Sequence, residues 1–305
     1  MAKVAFLFPG QGSQQPGMGS GLLEDSEVAA LCDKCASAAG IELRRLLTEA
    51  DDEELRLTQN AQPALCFAGI GLTLLLRRRG LEPVACAGHS VGEYAALAAA
   101  GAVDAPDVIR AVVERGKAMA EAAPAGTSSM AAVLGLDGQA VETALSGVEE
   151  AWPANYNTAT QTVIAGSTRG LEEATKRLQA AGAKRIVPLN VSAAFHTPLM
   201  APAAERLRSA LDRVAWRSPQ LAVMANFTGQ PHGGAETIAQ VMEMQLRSPV
   251  RWSACVASLV ELGCDSFIEV GPKRALAGMM RELAPGRAAI AVGTPDAVRE
   301  LSLPA

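Results

Sequence analysis

Residues 88–92 read Gly-His-Ser-Val-Gly, and they open the question of what a reachable hydroxyl at Ser90 would do. The run Val84–Gly88 predicts a short buried strand and Glu93–Ala100 a helix, so Ser90 falls on the turn between them. This strand–turn–helix setting of G-x-S-x-G is the nucleophile-elbow pattern, in which a serine oxygen stands exposed on a sharp turn. A serine hydroxyl is a weak nucleophile and needs a base to take its proton. The chain holds three histidines, His89, His196 and His232. His232 lies in Gln-Pro-His-Gly-Gly, which reads as a surface turn. His89 adjoins Ser90, and neighbouring side chains on a sharp turn point apart. His196 follows one predicted strand and precedes a Pro-containing helix start, so rigid elements would hold it. It is the candidate general base, against the alternative of a buried structural histidine.

Acyl transfer places negative charge on the former carbonyl oxygen, and losing one hydrogen-bond donor aimed at it costs about 3 kcal/mol. The residue after the nucleophile, Val91, offers one backbone N–H at a helix start. The glycine-rich loop Pro9–Gln14 after the first strand allows the close backbone approach a second donor needs. Arg115 is the remaining chemical group. At 100° per residue, Val108, Val112, Arg115 and Met119 share one stripe, while Arg110, Glu114 and Lys117 lie opposite. A core-facing guanidinium needs a partner, because an unpaired charge out of water is costly. Two readings stand at this point: a buried ion pair with an internal acid, or a fork that grips a substrate carboxylate.

The elements that must position these groups alternate. Strand-like runs at Val4–Phe8, Val84–Gly88, Met130–Leu134, Thr162–Ala165, Ile186–Val191, Leu221–Ala225, Phe267–Val270 and Ala288–Val292 are mostly separated by segments of helical period. That order predicts an α/β protein with a largely parallel sheet. Between about Thr127 and Ser192 the order is strand, helix (138–145), strand, helix (168–181), strand, bounded upstream by Glu-Ala-Ala-Pro-Ala-Gly-Thr-Ser-Ser. This reads as a small inserted α+β subdomain, with a ligand cleft expected against the main body. The predicted division is 1–126 with 197–305 for the main body and 127–196 for the insertion.

Composition narrows the function classes. A net charge of −5 over 305 residues lacks the basic face that phosphate-rich partners require, so nucleic acid is not expected as a partner. The longest apolar run, Pro63–Leu76, is too short to span a bilayer and ends in three arginines, so a core helix is expected and no membrane association. The N-terminal apolar run before Pro9 is too short for a signal peptide. Six cysteines, two of them inside apolar segments, fit a reducing cytoplasm. Cys32 and Cys35 form one C-x-x-C without a second pair or a nearby histidine, so neither metal nor redox chemistry is expected there.

The segments FLFPGQGSQ, TQNAQPAL, GHSVGEYAAL, ERGKAM, NTATQTVIAG, SAAFHTPLM, QLRSPVRW and EVGPKRALAG span residues 6–278 in order. With these eight pieces the chain resembles the malonyl-CoA:acyl carrier protein transacylase family, which includes free-standing acyltransferases of fatty acid and polyketide synthesis. The resemblance implies an α/β-hydrolase-like core with an inserted ferredoxin-like subdomain. It implies Ser90 as nucleophile, His196 as base, the backbone N–H groups of Gln11 and Val91 as oxyanion hole, and Arg115 as the malonyl carboxylate clamp. It also implies that a backbone carbonyl, at Gln245, orients the histidine in place of an acid. Gln62 and Asn157 match polar pocket positions, with a helix-capping and a turn role as alternatives. Phe195 matches a position where members preferring malonyl carry Phe, and its bulk would crowd the extra methyl of methylmalonyl, a preference of only about 1 to 3 kcal/mol. Two departures stand out: no aromatic follows Pro-Gly-Met-Gly, and Ser128 replaces a more usual glycine.

The resemblance implies a malonyl-serine intermediate, malonyl-CoA as donor, the phosphopantetheine thiol of an acyl carrier protein as acceptor, and no bound cofactor or metal. A cytoplasmic monomer is expected. The alternatives are an editing hydrolase that clears acyl groups from carriers, a polyketide trans-acyltransferase with a related extender unit, a loader of a malonate decarboxylase carrier, and a non-catalytic scaffold. The sequence does not choose the pathway or the carrier.

Overall fold

The computed structural model describes residues 2–122, 126–191 and 193–302. Part of the loop expected upstream of the insertion, residues 123–125, lies outside the described residues, as does Ser192. Among the described residues nine strands form two sheets. The first holds five parallel strands in the order β7 (Ala222–Met224), β2 (Ala85–Gly88), β1 (Val4–Phe8), β8 (Ser266–Val270) and β9 (Ala288–Val292). The strands β1 and β8 are buried at every residue because both faces are covered; β1 accordingly reads as an unbroken apolar run, whereas β8 carries the buried Ser266 and Glu269 among its apolar residues. On one face Phe6, Phe8, Cys86 and Ile268 join the large core with the helices Thr58–Arg78 and Ala105–Glu121. On the other, Ala5, Leu7, Ala87 and Phe267 pack against Trp252, Val256 and Leu276.

The second sheet is antiparallel, in the order β4 (Ala151–Thr158), β5 (Gln161–Ser167), β3 (Ser128–Leu134) and β6 (Arg185–Pro188). With the helices Gly138–Leu145 and Thr168–Ala180 it runs strand–helix–strand–strand–helix–strand, the ferredoxin-like order. Ala131, Val133 and Ile164 face those two helices, whereas Met130, Val163 and Ala165 face the main body. The fold class is thus α/β, an α/β-hydrolase-like core carrying a ferredoxin-like unit.

The strand β4 corrects the three-strand reading of this region. Its sequence AWPANYNT has a proline and two asparagines where alternation would be sought, and its pairing to β5 shifts register between Pro153 and Asn155 and again between Tyr156 and Thr158. Proline is tolerated there because β4 is an edge strand. The outer side of that edge is tied to the main body instead: Tyr156 N donates to Val250 O and Val250 N to Ala154 O, each at 2.9 Å. The helix expected over Pro63–Leu76 extends over Thr58–Arg78. Among the described residues no helix is long and apolar enough to cross a membrane.

Candidate active site

The loops that follow β1, β2 and β7 emerge at the carboxyl ends of three adjacent parallel strands, the usual place for ligands in an open α/β sheet. Ser90 sits on the loop after β2 with φ 54°, a left-handed conformation rare for a residue with a side chain. The two glycines of the motif make so sharp a turn possible. A Cβ on Gly88 would stand 1.9 Å from the carbonyl carbon of Gly92, and one on Gly92 would stand 2.1 Å from the Phe8 oxygen. The strain is held from outside by Asn226, just after β7, whose Oδ1 accepts from Ser90 N at 2.7 Å and whose Nδ2 donates to Gly88 O at 2.7 Å.

His196 is brought to the same point from a sequence distance of 106 residues. Its Nε2 lies 2.7 Å from Ser90 Oγ and its Nδ1 lies 2.9 Å from Gln245 O. A carbonyl oxygen can only accept, so Nδ1 carries the proton and Nε2 is left to accept from the serine hydroxyl. The backbone of Gln245 thus does what an acid does in a Ser-His-Asp triad, fixing ring and tautomer. His196 also has a positive φ, 61°; among the described residues only Ser90, Glu150 and His196 combine a side chain with such a backbone. Two of the three are this pair, as expected where strain of about 1–3 kcal/mol per residue is stored at a functional site. Ser128 helps hold the segment, its Oγ accepting from Ala194 N at 3.1 Å.

Arg115 is fully buried. Its Nη1 donates to Gln62 Oε1 at 2.7 Å, and its Nη2 to Ser90 Oγ at 3.0 Å and to Gln245 Oε1 at 3.1 Å. Its guanidinium carbon stands 5.7 Å from the centre of the Tyr94 ring. Among the described residues no carboxylate hydrogen-bonds to it, so of the two earlier readings the buried direct ion pair is not the one the structure shows. Neutral amides solvate the cation while its Nε remains unpartnered. Burial, and then the Arg115 charge, push the His196 imidazole down to about 3, leaving it neutral and able to accept a proton. Burial lowers His89 as well.

Gln11, His89, Asn157, Phe195 and Met119 line a cavity of about 250 Å³ that reaches Ser90 and His196. Asn157 Oδ1 lies 3.0 Å from His89 Nε2, which links the antiparallel sheet to the residue beside the elbow. Gln62 lies behind the cavity, its Nε2 on the Met119 sulfur at 3.2 Å. Gln11 is on the loop after β1 and ties its side chain to Thr58 Oγ1 at 3.1 Å, which leaves its backbone N–H free of that contact. Val91, buried, is the N-cap of the helix Gly92–Ala99. Of the predicted site residues, Gln11, Ser90, Asn157, Phe195 and His196 line this cavity, while Arg115, Gln62 and Gln245 lie behind it, joined to Ser90 through the Arg115 guanidinium, and Val91 follows Ser90 in the chain.

Sequence reasoning missed three contributors. His232 is no surface turn: its side chain is buried with that of Glu93, Nε2 to Oε1 at 2.7 Å. Glu93 and Asn226 were not singled out, although an Asn at the carboxyl end of a strand and an acid inside an apolar helix are visible signals. Cys32 and Cys35 are both buried; burial pushes their thiols up to about 11 and about 12, so neither is a ready thiolate. Among the described residues no cluster of three or more His, Cys, Asp or Glu is arranged to hold a metal ion.

A hydroxyl bonded to a correctly tautomeric imidazole, with a buried cation 3.0 Å away, is suited to forming an acyl-serine with an anionic acyl group. Comparison with known proteins narrows that class. The acyl transferase domain family matches residues 5–300, and the chain belongs to it. It is 40% identical over 303 residues to a malonyl CoA-acyl carrier protein transacylase of Bacillus subtilis, covering 98% of this chain and 96% of the relative. It is 37% identical to the transacylase of the same description from Escherichia coli K12, covering 98% of each. Among solved structures, an acyl carrier protein S-malonyltransferase from Vibrio cholerae superposes with a TM-score of 0.93 at 36% identity, covering 98% of this chain and 99% of the other. A malonyl-transacylase solved in complex with its type II PKS acyl-carrier protein gives the same TM-score and identity, covering 98% of both chains.

The His196 shift carries a stability consequence. The imidazole takes up a proton near pH 6.5 in the unfolded chain but only near pH 3 in the folded one. Between those values the unfolded state binds the extra proton, so stability falls as pH drops below 6.5, by about 1.4 kcal/mol per pH unit from this group alone. Urea midpoints measured at pH 7.5 and pH 5 should therefore converge in a His196→Gln variant relative to the unsubstituted chain. An equal pH dependence in both would contradict the assignment.

Proposed function

We propose that the chain is a malonyl-CoA:acyl carrier protein S-malonyltransferase working through a malonyl ester on Ser90. The observation that carries the reading is the fully buried Arg115, with amide but, among the described residues, no carboxylate partners, held against the serine oxygen that His196 also touches. A guanidinium so near the oxygen suits an acyl group with a second carboxylate one methylene beyond the reacting carbonyl.

In the first half-reaction, Ser90 Oγ gives its proton to His196 Nε2 and attacks the thioester carbon of malonyl-CoA. The backbone N–H groups of Gln11 and Val91 receive the oxyanion. The C–S bond breaks, and the departing sulfur takes the proton from His196 to leave as CoA thiol. In the second, the phosphopantetheine thiol of an acyl carrier protein gives its proton to His196 and attacks the ester carbon; the C–O bond breaks and Ser90 recovers its proton. A thioester is consumed and a thioester formed, so the steps need neither metal nor nucleotide. Gln62 and Gln245 hold Arg115, Asn157 and Phe195 shape the acyl pocket, and the bulk of Phe195 favours malonyl over methylmalonyl.

The partner is an acyl carrier protein. Lys273 and Arg274 form an exposed basic pair that suits an acidic carrier, with Lys273 Nζ on Gly12 O at 3.1 Å beside a cleft that also holds Arg56, Asp52 and Glu53. Lys184 and Arg185 form a second exposed basic pair on the antiparallel sheet. The division into 1–126 with 197–305 and 127–196 is supported by β3 to β6 all falling inside the second range. One chain supplies the whole site, which suits a monomer, and six unpaired buried cysteines suit the cytoplasm.

The test offers malonyl-CoA with holo acyl carrier protein and follows malonyl-carrier formation against free malonate. The reading expects transfer to exceed hydrolysis by at least about a hundredfold, since a desolvated thiol acceptor outcompetes water only in a transferase. Hydrolysis at a rate equal to or above transfer would place the chain among the editing hydrolases.

A further inference from the structure

Beneath the elbow, Glu93 is fully buried in the first turn of the helix Gly92–Ala99. Three donors converge on its carboxylate. Oε2 accepts from Asn226 N at 3.0 Å and from Gln245 Nε2 at 2.9 Å, and Oε1 stands 2.7 Å from His232 Nε2. None of these atoms faces the cavity, and the transfer chemistry does not use them.

The Gln245 amide makes the connection. A carboxylate only accepts, so the Gln245 NH2 group must face Glu93, where its second hydrogen reaches Ser90 O at 2.9 Å. The amide oxygen is thereby turned to Arg115 Nη2 at 3.1 Å, and the backbone oxygen of the same residue takes His196 Nδ1. A reversed amide would set an oxygen against a carboxylate and an NH2 group against a guanidinium, two repulsive contacts out of water. Glu93 is also a negative charge near a cation that lacks a direct carboxylate partner, and it opposes the loss of the Arg115 proton that burial favours.

We infer that Glu93 is a positioning residue for malonyl selection: through the orientation it imposes on the Gln245 amide, it holds the Arg115 guanidinium in the pose that receives the substrate carboxylate. The inference rests on the reading of Arg115 as the carboxylate clamp. Its signature is a change in selectivity, because loss of the fixed amide affects the acyl group that uses Arg115 more than one that does not.

The experiment measures kcat/KM for malonyl and acetyl transfer from their CoA thioesters in the unsubstituted protein and in Glu93→Gln, Gln245→Met, the double variant and Arg115→Ala. Glutamine at 93 keeps the length but gives Gln245 a partner of either polarity. Methionine at 245 removes the amide and leaves the backbone oxygen. Each single substitution should lower the malonyl-to-acetyl ratio by about tenfold, the scale of one charge-assisted hydrogen bond. The double variant should lower it no further, since both act through one amide. A purely structural role would depress both substrates by one factor, and an unchanged ratio in either single variant overturns the inference, as does a double variant showing the product of the two losses. Should Glu93→Gln fail to fold, Gln245→Met decides alone by the same criterion. A ratio lowered by Arg115→Ala but not by Glu93→Gln overturns this inference only, whereas a ratio that Arg115→Ala also leaves unmoved overturns the clamp reading and this inference with it.

Discussion

Ser90→Ala lowers malonyl transfer by at least about a thousandfold, the scale of losing a nucleophile while binding and oxyanion donors stay in place. The hydroxyl is the atom on which His196 and Arg115 converge, at 2.7 and 3.0 Å, so its removal leaves both without their shared partner. His196→Ala should cost a similar factor, because among the described residues the hydroxyl has no other base within hydrogen-bond reach. The double variant should fall little below either single one, as groups acting as one unit are not additive. Initial rates with malonyl-CoA and holo carrier protein check this. A Ser90→Ala rate within tenfold of the unsubstituted protein would mean direct thiol attack on bound malonyl-CoA, with no acyl-serine.

Arg115→Ala inverts the acyl preference. Removing one partner from a buried, hydrogen-bonded charge pair costs about 3–5 kcal/mol, which corresponds to between about two and four powers of ten in kcat/KM for malonyl. Acetyl has no carboxylate to lose, and the space vacated by the guanidinium accommodates its methyl, so acetyl transfer holds or rises. The sign of a second effect follows from the same charge. Arg115 helps to hold the His196 imidazole below its ordinary range, so its removal moves His196 upward and with it the acidic limb of the kcat/KM profile. Acetyl and malonyl kcat/KM at pH 7 check the first effect, and the same profiles carried down toward pH 3 check the second. Equal losses for the two acyl groups would show that Arg115 supports the fold and does not clamp the substrate.

Much of this site was legible because its signals are local. A strand, a turn with glycines at fixed offsets and a helix lie within sixteen residues around Ser90, and β1 declares itself through an unbroken apolar run. Arg115 was legible from helical phase alone, since a cation on an apolar stripe contradicts its own surroundings. What stayed hidden depends on pairings far apart in the chain. Glu93 meets His232 across 139 residues, and neither position advertises the other: a glycine-flanked histidine has the composition of a surface turn until a buried carboxylate is placed against it. Asn226 clamps the elbow from 136 residues away, through β7, a strand of three residues. The strand β4 was hidden for a different reason. Its proline and asparagines are tolerated by an edge position and an irregular register, and both of these are properties of the sheet and not of the segment.

The most direct test of the account is the intact mass of the protein after brief mixing with malonyl-CoA in the absence of carrier protein, followed by peptide mapping. The account predicts one added malonyl group, located on the peptide that contains Ser90, absent from Ser90→Ala and discharged on addition of holo acyl carrier protein. A chain that turns over malonyl-CoA while its mass stays unchanged, or that carries the label elsewhere, would contradict it.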